Sequence, residues 1–241
     1  MRAFVLCLLT FLPLTAVAGP ADYVYTPNVE YGERELDFKI GNQRGGGQER
    51  LTAASLGLGF GVTERWFTEF YVKYEKPGGE STRYDAFEWE NRFQLTEANR
   101  YPVDAGFVIE IERPRDRSEG TELRLGPLFQ TDLDRWRFNF NVLLERSINA
   151  DEPSSTELGY QFQARYFSTG NTDFGVQAFG EMGPVNHWDS GRDQTHRIGP
   201  AIFGKVPLGG RNIIQYNAAI LFGLASGAAD RTIRAQIEYE F

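Results

Sequence analysis

The sequence predicts an all-β fold: a single antiparallel transmembrane β-barrel of about 12 strands after a cleaved signal peptide. After residue 28, apolar and polar side chains alternate almost everywhere, as in strands with one apolar and one polar face. The alternating segments reach about ten residues, the length that a tilted strand needs to cross a bilayer. Strands of soluble sheets are shorter, about 5–6 residues. The pattern therefore favours a membrane barrel over a soluble β-sandwich.

Composition excludes several other classes of protein. The 241 residues include 25 Lys and Arg against 33 Asp and Glu, and 41% are hydrophobic. This hydrophobic content is too high for a disordered chain. The net charge of -8 argues against a nucleic-acid partner, since such proteins carry clustered positive charge. The single cysteine excludes a disulfide scaffold and a thiolate metal site.

The first 18 residues are expected to be a signal peptide. Arg2 supplies a positive start, residues 3–14 are uncharged and mostly apolar, and Ala16-Val17-Ala18 is a small-residue cleavage site. The run is too short for a membrane-spanning helix, which needs about 20 residues. We therefore divide the chain into a signal peptide (1–18), a periplasmic N-terminal segment (19–28) and the barrel (29–241).

Twelve alternating segments follow in order. The clearest is residues 232–241, where Ile233, Ile237 and Tyr239 share one face while Arg234 and Gln236 lie on the other. The segments are predicted to start near Val29, Arg50, Trp66, Arg83, Pro102, Thr121, Trp136, Thr156, Phe174, Thr195, Arg211 and Thr232.

Residues 212–229 could instead be interpreted as a membrane-spanning helix, because these 18 consecutive uncharged residues are long enough to form one. Gln215 and Asn217 interrupt that run, and the apolar residues Ile214 and Tyr216 alternate with them. This alternation favours a strand.

Alternation also assigns the two faces of the barrel. Phe140 and Phe162 should face lipid, whereas Asn141 and Gln163 should face the lumen. Aromatic residues collect at the ends of segments, as in the girdles that membrane proteins place at the interfaces. The expected girdle comprises Trp66, Tyr74, Trp136, Tyr160, Tyr166, Tyr239 and Phe241.

The chain ends in Phe241, with Tyr239 and Ile237 before it at alternate positions. This ending resembles the C-terminal signature of Gram-negative bacterial outer-membrane β-barrel proteins of the porin or transporter kind. The resemblance implies a location in the cell outer membrane, with outer-membrane lipid around the barrel. It also implies that the outer-membrane assembly machinery binds the last strand. Short turns would face the periplasm and longer loops the exterior.

The predicted inner face carries charges of both signs. Pairing estimated from the loop centres sets Glu88 opposite Glu110, Glu110 beside Arg124, and Glu69 near Glu90. The expected lumenal cluster comprises Glu69, Lys73, Glu88, Glu90, Arg92, Glu110, Glu112, Glu122 and Arg124. It fits either a salt-bridge lattice that fills a narrow lumen or a polar path that favours cations.

Small residues line the inner face of the second segment. Ser55, Gly57 and Gly59 leave space there, which the sequence assigns to Phe67 and Tyr71 of the next strand.

The function that this pattern favours is a narrow channel or transporter for a small polar or cationic solute. Two alternatives remain open: a closed structural or surface-interaction barrel, and an outer-membrane hydrolase that acts at the external rim. The hydrolase would use the loop that contains His187, Asp189 and Ser190. Full catalytic motifs are not recognisable there, so we expect no enzyme activity, no catalytic residue, no metal and no cofactor.

Overall fold

The protein is a closed barrel of 12 antiparallel strands. The computed structural model describes residues 19–46 and 48–241, so the expected signal peptide lies outside the described residues. Each strand pairs with its neighbour in sequence, and β1 pairs with β12 to close the barrel. The strands are β1 (Arg34–Arg44), β2 (Leu51–Thr63), β3 (Trp66–Pro77), β4 (Arg83–Gln94), β5 (Asp104–Pro114), β6 (Thr121–Leu133), β7 (Trp136–Ile148), β8 (Glu157–Tyr166), β9 (Thr172–Pro184), β10 (Thr195–Gly209), β11 (Asn212–Gly223) and β12 (Arg231–Glu240).

This architecture confirms the predicted fold class and strand number. Eleven of the strands begin within two residues of the predicted position, and β3, β4, β6, β7 and β10 begin at the predicted residue. The exception is β1, which begins at Arg34 and not near Val29. A single turn of 3-10 helix, Arg117–Glu119, lies between β5 and β6. In the part of the chain that the structure describes, no helix is long and apolar enough to span a membrane.

The two ends of the barrel differ in their connections. At the turn end, where β1 begins and β12 ends, residues 64–65, 134–135 and 210–211 form tight turns. Asp134 adopts a left-handed backbone there (φ 54°), as tight hairpins require. Residues 95–103 form a longer connection at the same end. At the loop end, residues 185–194 form one of the longer connections.

The faces alternate as the sequence predicts. Phe140 lies on the outer face and is 45% exposed, while the next residue, Asn141, is fully buried inside the barrel. Outward aromatic side chains stack across strands, with the Phe70 and Trp89 rings 6.1 Å apart. The barrel thus presents an apolar outer surface and a polar interior.

Glycine lets large side chains enter the lumen beside β2. A Cβ at Gly57 would lie 2.4 Å from the Tyr71 ring, and one at Gly59 would lie 2.5 Å from the Phe67 ring. Both aromatic residues are almost fully buried. The predicted packing of Phe67 and Tyr71 against this strand is therefore confirmed.

Candidate functional site: the barrel lumen

The inner face of β3–β6 forms a charged wall, and the predicted lumenal residues come together there. Lys73 binds two carboxylates, with its Nζ 2.9 Å from Glu88 Oε2 and 2.5 Å from Glu112 Oε2. Arg92 Nε lies 3.0 Å from Glu90 Oε1, and an Arg92 terminal nitrogen lies 3.8 Å from Glu35 Oε1. Each of these cations therefore contacts two carboxylates.

Arg124 connects three strands of this wall. Its guanidinium lies 3.2 Å from Glu110 Oε1, 3.6 Å from Glu122 Oε1 and 2.6 Å from Glu145 Oε2. Glu145, on β7, extends the cluster beyond the predicted set. Shared cations allow several carboxylates to be buried together, since an unpaired buried charge is costly.

Strand register decides which carboxylates face each other. Glu69 lies opposite Glu90, and Glu110 lies opposite Arg124, as the sequence predicts. Glu88, however, lies opposite Glu112. The predicted pairing of Glu88 with Glu110 is therefore wrong by two residues.

The connection between β4 and β5 explains why the observed register differs from the predicted one. The Leu95 N–H donates to the Ala105 carbonyl (2.9 Å), which makes these two residues the closing pair. The Ala105 N–H in turn donates to Thr96 Oγ1 (2.8 Å). These hydrogen bonds, and not the midpoint of the loop, set the register.

The segment before β1 lies inside the barrel, which corrects its predicted position in the periplasm. We call residues 20–29 the N-terminal plug. The Tyr23 hydroxyl donates to Glu90 and the Tyr25 hydroxyl donates to Glu110. Tyr25 N–H donates to Gln161 Oε1 (3.1 Å), and Asn141 Nδ2 donates to the Tyr25 carbonyl (3.0 Å). The lumen accommodates this segment because side chains of the wall form hydrogen bonds with its polar groups.

Wall glycines provide space for the plug backbone. A Cβ at Gly41, towards the loop end of β1, would lie 1.9 Å from the Pro20 carbonyl oxygen. A Cβ at Gly106, near the turn end of β5, would lie 2.8 Å from Pro27 Cα. The plug therefore runs from the loop half of the lumen to the turn end.

The plug side chains alternate between two lumenal walls. Tyr23 and Tyr25 face the charged wall, and Lys39 Nζ lies 3.4 Å from the centroid of the Tyr23 ring. Val24 instead packs into an apolar patch formed by β9–β11. This patch contains Phe179, Ala201, Phe203, Ala219 and Leu221. The plug thus fits a lumen that is charged on one side and apolar on the other.

A row of amide side chains joins these walls. Gln177 Nε2 donates to Gln163 Oε1 (2.7 Å), Gln163 Nε2 donates to Asn139 Oδ1 (3.4 Å), and Asn139 Nδ2 donates to Gln130 Oε1 (3.0 Å). Arg234 donates to Gln177 Oε1 from the far side (2.5 Å). The polar alternation placed these residues inside the barrel, but their contacts with one another depend on register.

The lumen is closed at the level of the charged wall. Glu69, Glu90 and Glu110 are only 0–1% exposed. If an open path of water ran along these carboxylates, their side chains would be exposed to it. In this conformation of the described chain, therefore, no aqueous path passes them.

The predicted girdle residues lie at strand ends, mostly at the turn end. Trp136 contacts Tyr166 there, with ring centroids 5.1 Å apart, and Tyr239 stacks on Phe241 at 5.5 Å. Trp66 stacks on Phe93 at the same end. Tyr74 lies near the loop end, and Tyr160 packs against His196.

The candidate hydrolytic loop does not assemble as a catalytic set. Ser190 Oγ donates to Asp193 Oδ2 (2.6 Å), and the Asp189 N–H donates to the Met182 carbonyl (2.9 Å). The His187 N–H donates to the Pro184 carbonyl (3.0 Å). These contacts stabilise the loop and leave the Ser190 hydroxyl directed to a carboxylate.

Two groups of three carboxylates in the described chain lie close enough to share one cation. One comprises Glu33, Glu238 and Glu240 at the turn end. The other comprises Glu88, Glu110 and Glu112, where Lys73 already contacts two members. An ammonium group of the protein itself therefore already occupies the more buried group and offsets part of its negative charge.

No family model matches the chain, and no curated protein sequence matches it. The fold is similar to that of the KdgM porin (8% identity, TM-score 0.56, 86% of this chain and 98% of that chain). It is also similar to the COG4313 outer membrane channel from Pseudomonas putida F1 (13% identity, TM-score 0.56, 93% and 99%). The translocator domain of autotransporter NalP from Neisseria meningitidis aligns as well (10% identity, TM-score 0.51, 87% and 86%). The chain therefore has the fold of Gram-negative outer-membrane β-barrel proteins.

Proposed function

We propose that this protein is an outer-membrane channel for a small polar or cationic solute, and that the N-terminal plug closes it in the conformation described. The observation that carries the proposal is how the lumen is closed. A segment that is not part of the barrel wall fills the lumen. Hydrogen bonds with side chains of the wall hold it there. The wall closes independently through the pairing of β1 with β12. The plug can therefore leave without breaking a strand pair of the barrel.

The charge of the lumen supports a preference for cations. A cluster of charged side chains on β1 and β3–β7 contains nine carboxylates and four cations, a formal excess of five negative charges. Charged linings select ions by sign. The residues are Glu35, Asp37, Glu69, Glu88, Glu90, Glu110, Glu112, Glu122 and Glu145, with Lys39, Lys73, Arg92 and Arg124.

The surroundings of the barrel follow from the same proposal. The apolar outer face would contact outer-membrane lipid, with Trp66 and Trp136 at the periplasmic interface. The last strand would present Phe241 to the assembly machinery. The Phe241 N–H donates to the Arg34 carbonyl (2.9 Å), so this residue also helps to join the two ends of the barrel wall.

Planar-bilayer recording of the wild-type protein and of a variant that lacks residues 20–29 tests the proposal. The wild type should remain mostly closed. The deletion variant should conduct steadily, and its reversal potential in a salt gradient should show a preference for cations. A heat-modifiable gel shift establishes that each barrel is folded.

A folded deletion variant that gives no current would contradict the channel function. That result would favour the closed structural barrel. A conducting variant with anion preference would keep the channel but overturn the cationic solute.

A further inference from the structure

The two faces of the barrel wall carry different charged side chains. The alternation of the described strands directs their carboxylates towards the lumen, and the charged side chains that face outward are all cations. Five of the six outward cations lie at the loop end, and the sixth, Arg34, lies at the turn end. The six are Arg34, Arg44, Lys76, Arg113, Arg146 and Arg231. The loop-end rim of the outer surface is therefore positively charged.

The outer face of β1 has a cation at each edge of its apolar band. Between Arg34 and Arg44, the apolar residues that face outward are Leu36, Phe38 and Ile40. Strands rise about 3.3 Å per residue and tilt by about 35–45° in such barrels, so this interval spans about 25 Å across the membrane. The apolar band of these barrels is also about 25 Å tall. Arg44 therefore lies at the level of the lipid headgroups on the loop side.

Two of the loop-end arginines lie directly opposite each other where β1 pairs with β12. Arg44 is the register partner of Arg231, and Arg44 is exposed while Arg231 is half-buried. Like charges at opposed positions repel each other, because their Cβ atoms are about 4.5–5.5 Å apart. Within the described part of the chain, neither guanidinium forms an ion pair. The adjacent Asp230 carboxylate lies instead beside Gly45, where a Cβ would be 2.2 Å from Asp230 Oδ2.

The surroundings of this arginine pair favour a lipid phosphate over a free ion. A guanidinium binds phosphate oxygens through two parallel hydrogen bonds, and basic side chains beside the hydrocarbon boundary attract anionic lipids. A phosphate between Arg44 and Arg231 would remove their repulsion. Nearer the middle of the membrane, the same two strands expose apolar side chains that can contact the acyl chains, those of Ile40 and Ile233.

We propose that Arg44 and Arg231 together bind the phosphate of an anionic lipid in the membrane leaflet at the loop end. The other loop-end cations bind such lipids more weakly, because none of them lies directly opposite a second cation. The inference goes beyond the proposed channel function, since it concerns the outer surface and requires no conduction.

Native mass spectrometry of the purified protein in detergent, titrated with phosphatidic acid, tests the site. Phosphatidylcholine with the same acyl chains is the lipid without net charge. The wild type should bind phosphatidic acid at least tenfold more tightly than phosphatidylcholine. Arg44→Gln combined with Arg231→Gln should weaken binding of phosphatidic acid about tenfold or more, since hydrogen bonds to charged groups are strong. Arg34→Gln is the matched control, because Arg34 lies on the same strand and face at the opposite end, and its affinity should equal that of the wild type.

Arg44→Glu is a second variant, which separates lipid binding from folding. Its carboxylate would lie opposite Arg231, so the melting temperature should not fall while the affinity for phosphatidic acid should. Equal binding of the two lipids to the wild type, unchanged affinity in the double variant, or an equal loss in Arg34→Gln would overturn the inference. Displacement of the lipid by an equal concentration of inorganic phosphate would overturn the assignment to a lipid.

The outcomes also separate this site from the channel. If the plug-deletion variant conducts while phosphatidic acid does not bind, this inference fails and the proposed channel stands. Binding of phosphatidic acid that depends on the arginine pair, together with a silent deletion variant, would support the lipid site and contradict the proposed channel.

Discussion

Removal of the Tyr25 hydroxyl should loosen the plug by a predictable amount. In Tyr25→Phe the ring stays in place, because Val108, Leu128 and Leu143 pack around it. The hydrogen bond to Glu110 is lost, and Glu110 remains almost fully buried. A hydrogen bond to a charged group contributes about 1.5–3 kcal/mol. When the plug leaves, water can replace the hydroxyl, so this cost falls on the closed state alone.

Each 1.4 kcal/mol corresponds to a factor of ten in an equilibrium. Because Arg124 still contacts Glu110 at 3.2 Å, we expect the lower part of the range, about a tenfold rise in the ratio of open to closed channels. Single-channel recording measures this ratio directly. Tyr31→Phe is the control, because Tyr31 is 65% exposed outside the lumen. Equal open probability in both variants would refute the role of the hydroxyl.

The other predictions concern packing, selectivity and membrane contact. Gly57→Ala should lower the melting temperature, because its Cβ would lie 2.4 Å from the Tyr71 ring and such overpacking costs about 1–3 kcal/mol. Gly191→Ala is the control: a Cβ there would have nothing within 4 Å, so the melting temperature should not change. In the plug-deletion variant, Glu88→Gln with Glu110→Gln should move the reversal potential towards zero, and an unchanged potential would show that these carboxylates do not select ions. Phe140→Arg should reduce the yield of folded barrel, since a lipid-facing Arg costs about 2–4 kcal/mol. Gln215→Arg should fold normally, because residue 215 faces Glu238 and Glu240 in the lumen. Equal yields of the two variants would contradict the assigned faces. Deletion of Phe241 should slow assembly, measured as the fraction of heat-modifiable protein, and a normal fraction would exclude the last residue as a recognition element.

Alternation was sufficient to predict the wall of the barrel. Because side chains along a strand alternate between two faces, Phe140 and Asn141 could be assigned to opposite sides from sequence. Pairing across strands was harder to predict. The hydrogen bonds between Leu95, Thr96 and Ala105 set a register for β5 that differs by two residues from the predicted one. Glu112, and not Glu110, therefore lies opposite Glu88.

The plug was missed because residues 20–29 show no alternation of apolar and polar side chains in the sequence. Its signal lies in distant positions of the wall. Gly41 and Gly106 provide backbone space for it, Gln161 accepts from the Tyr25 N–H, and Asn141 donates to the Tyr25 carbonyl. Such signals become readable only when strand register brings these positions beside residues 20–29. Sequence alone therefore predicted a charged lumen but not what fills it.

The position of the plug can be measured without assuming any transport activity. The only cysteine of the sequence, Cys7, lies in the expected signal peptide, so an introduced cysteine would be the single thiol of the mature protein. Val24 is 7% exposed inside the lumen and Tyr31 is 65% exposed outside it. In the folded barrel, Val24→Cys should therefore react with a bulky hydrophilic maleimide far more slowly than Tyr31→Cys, and the two rates should become equal in denaturant. Equal rates in the folded protein would place the segment outside the barrel and contradict closure by the plug.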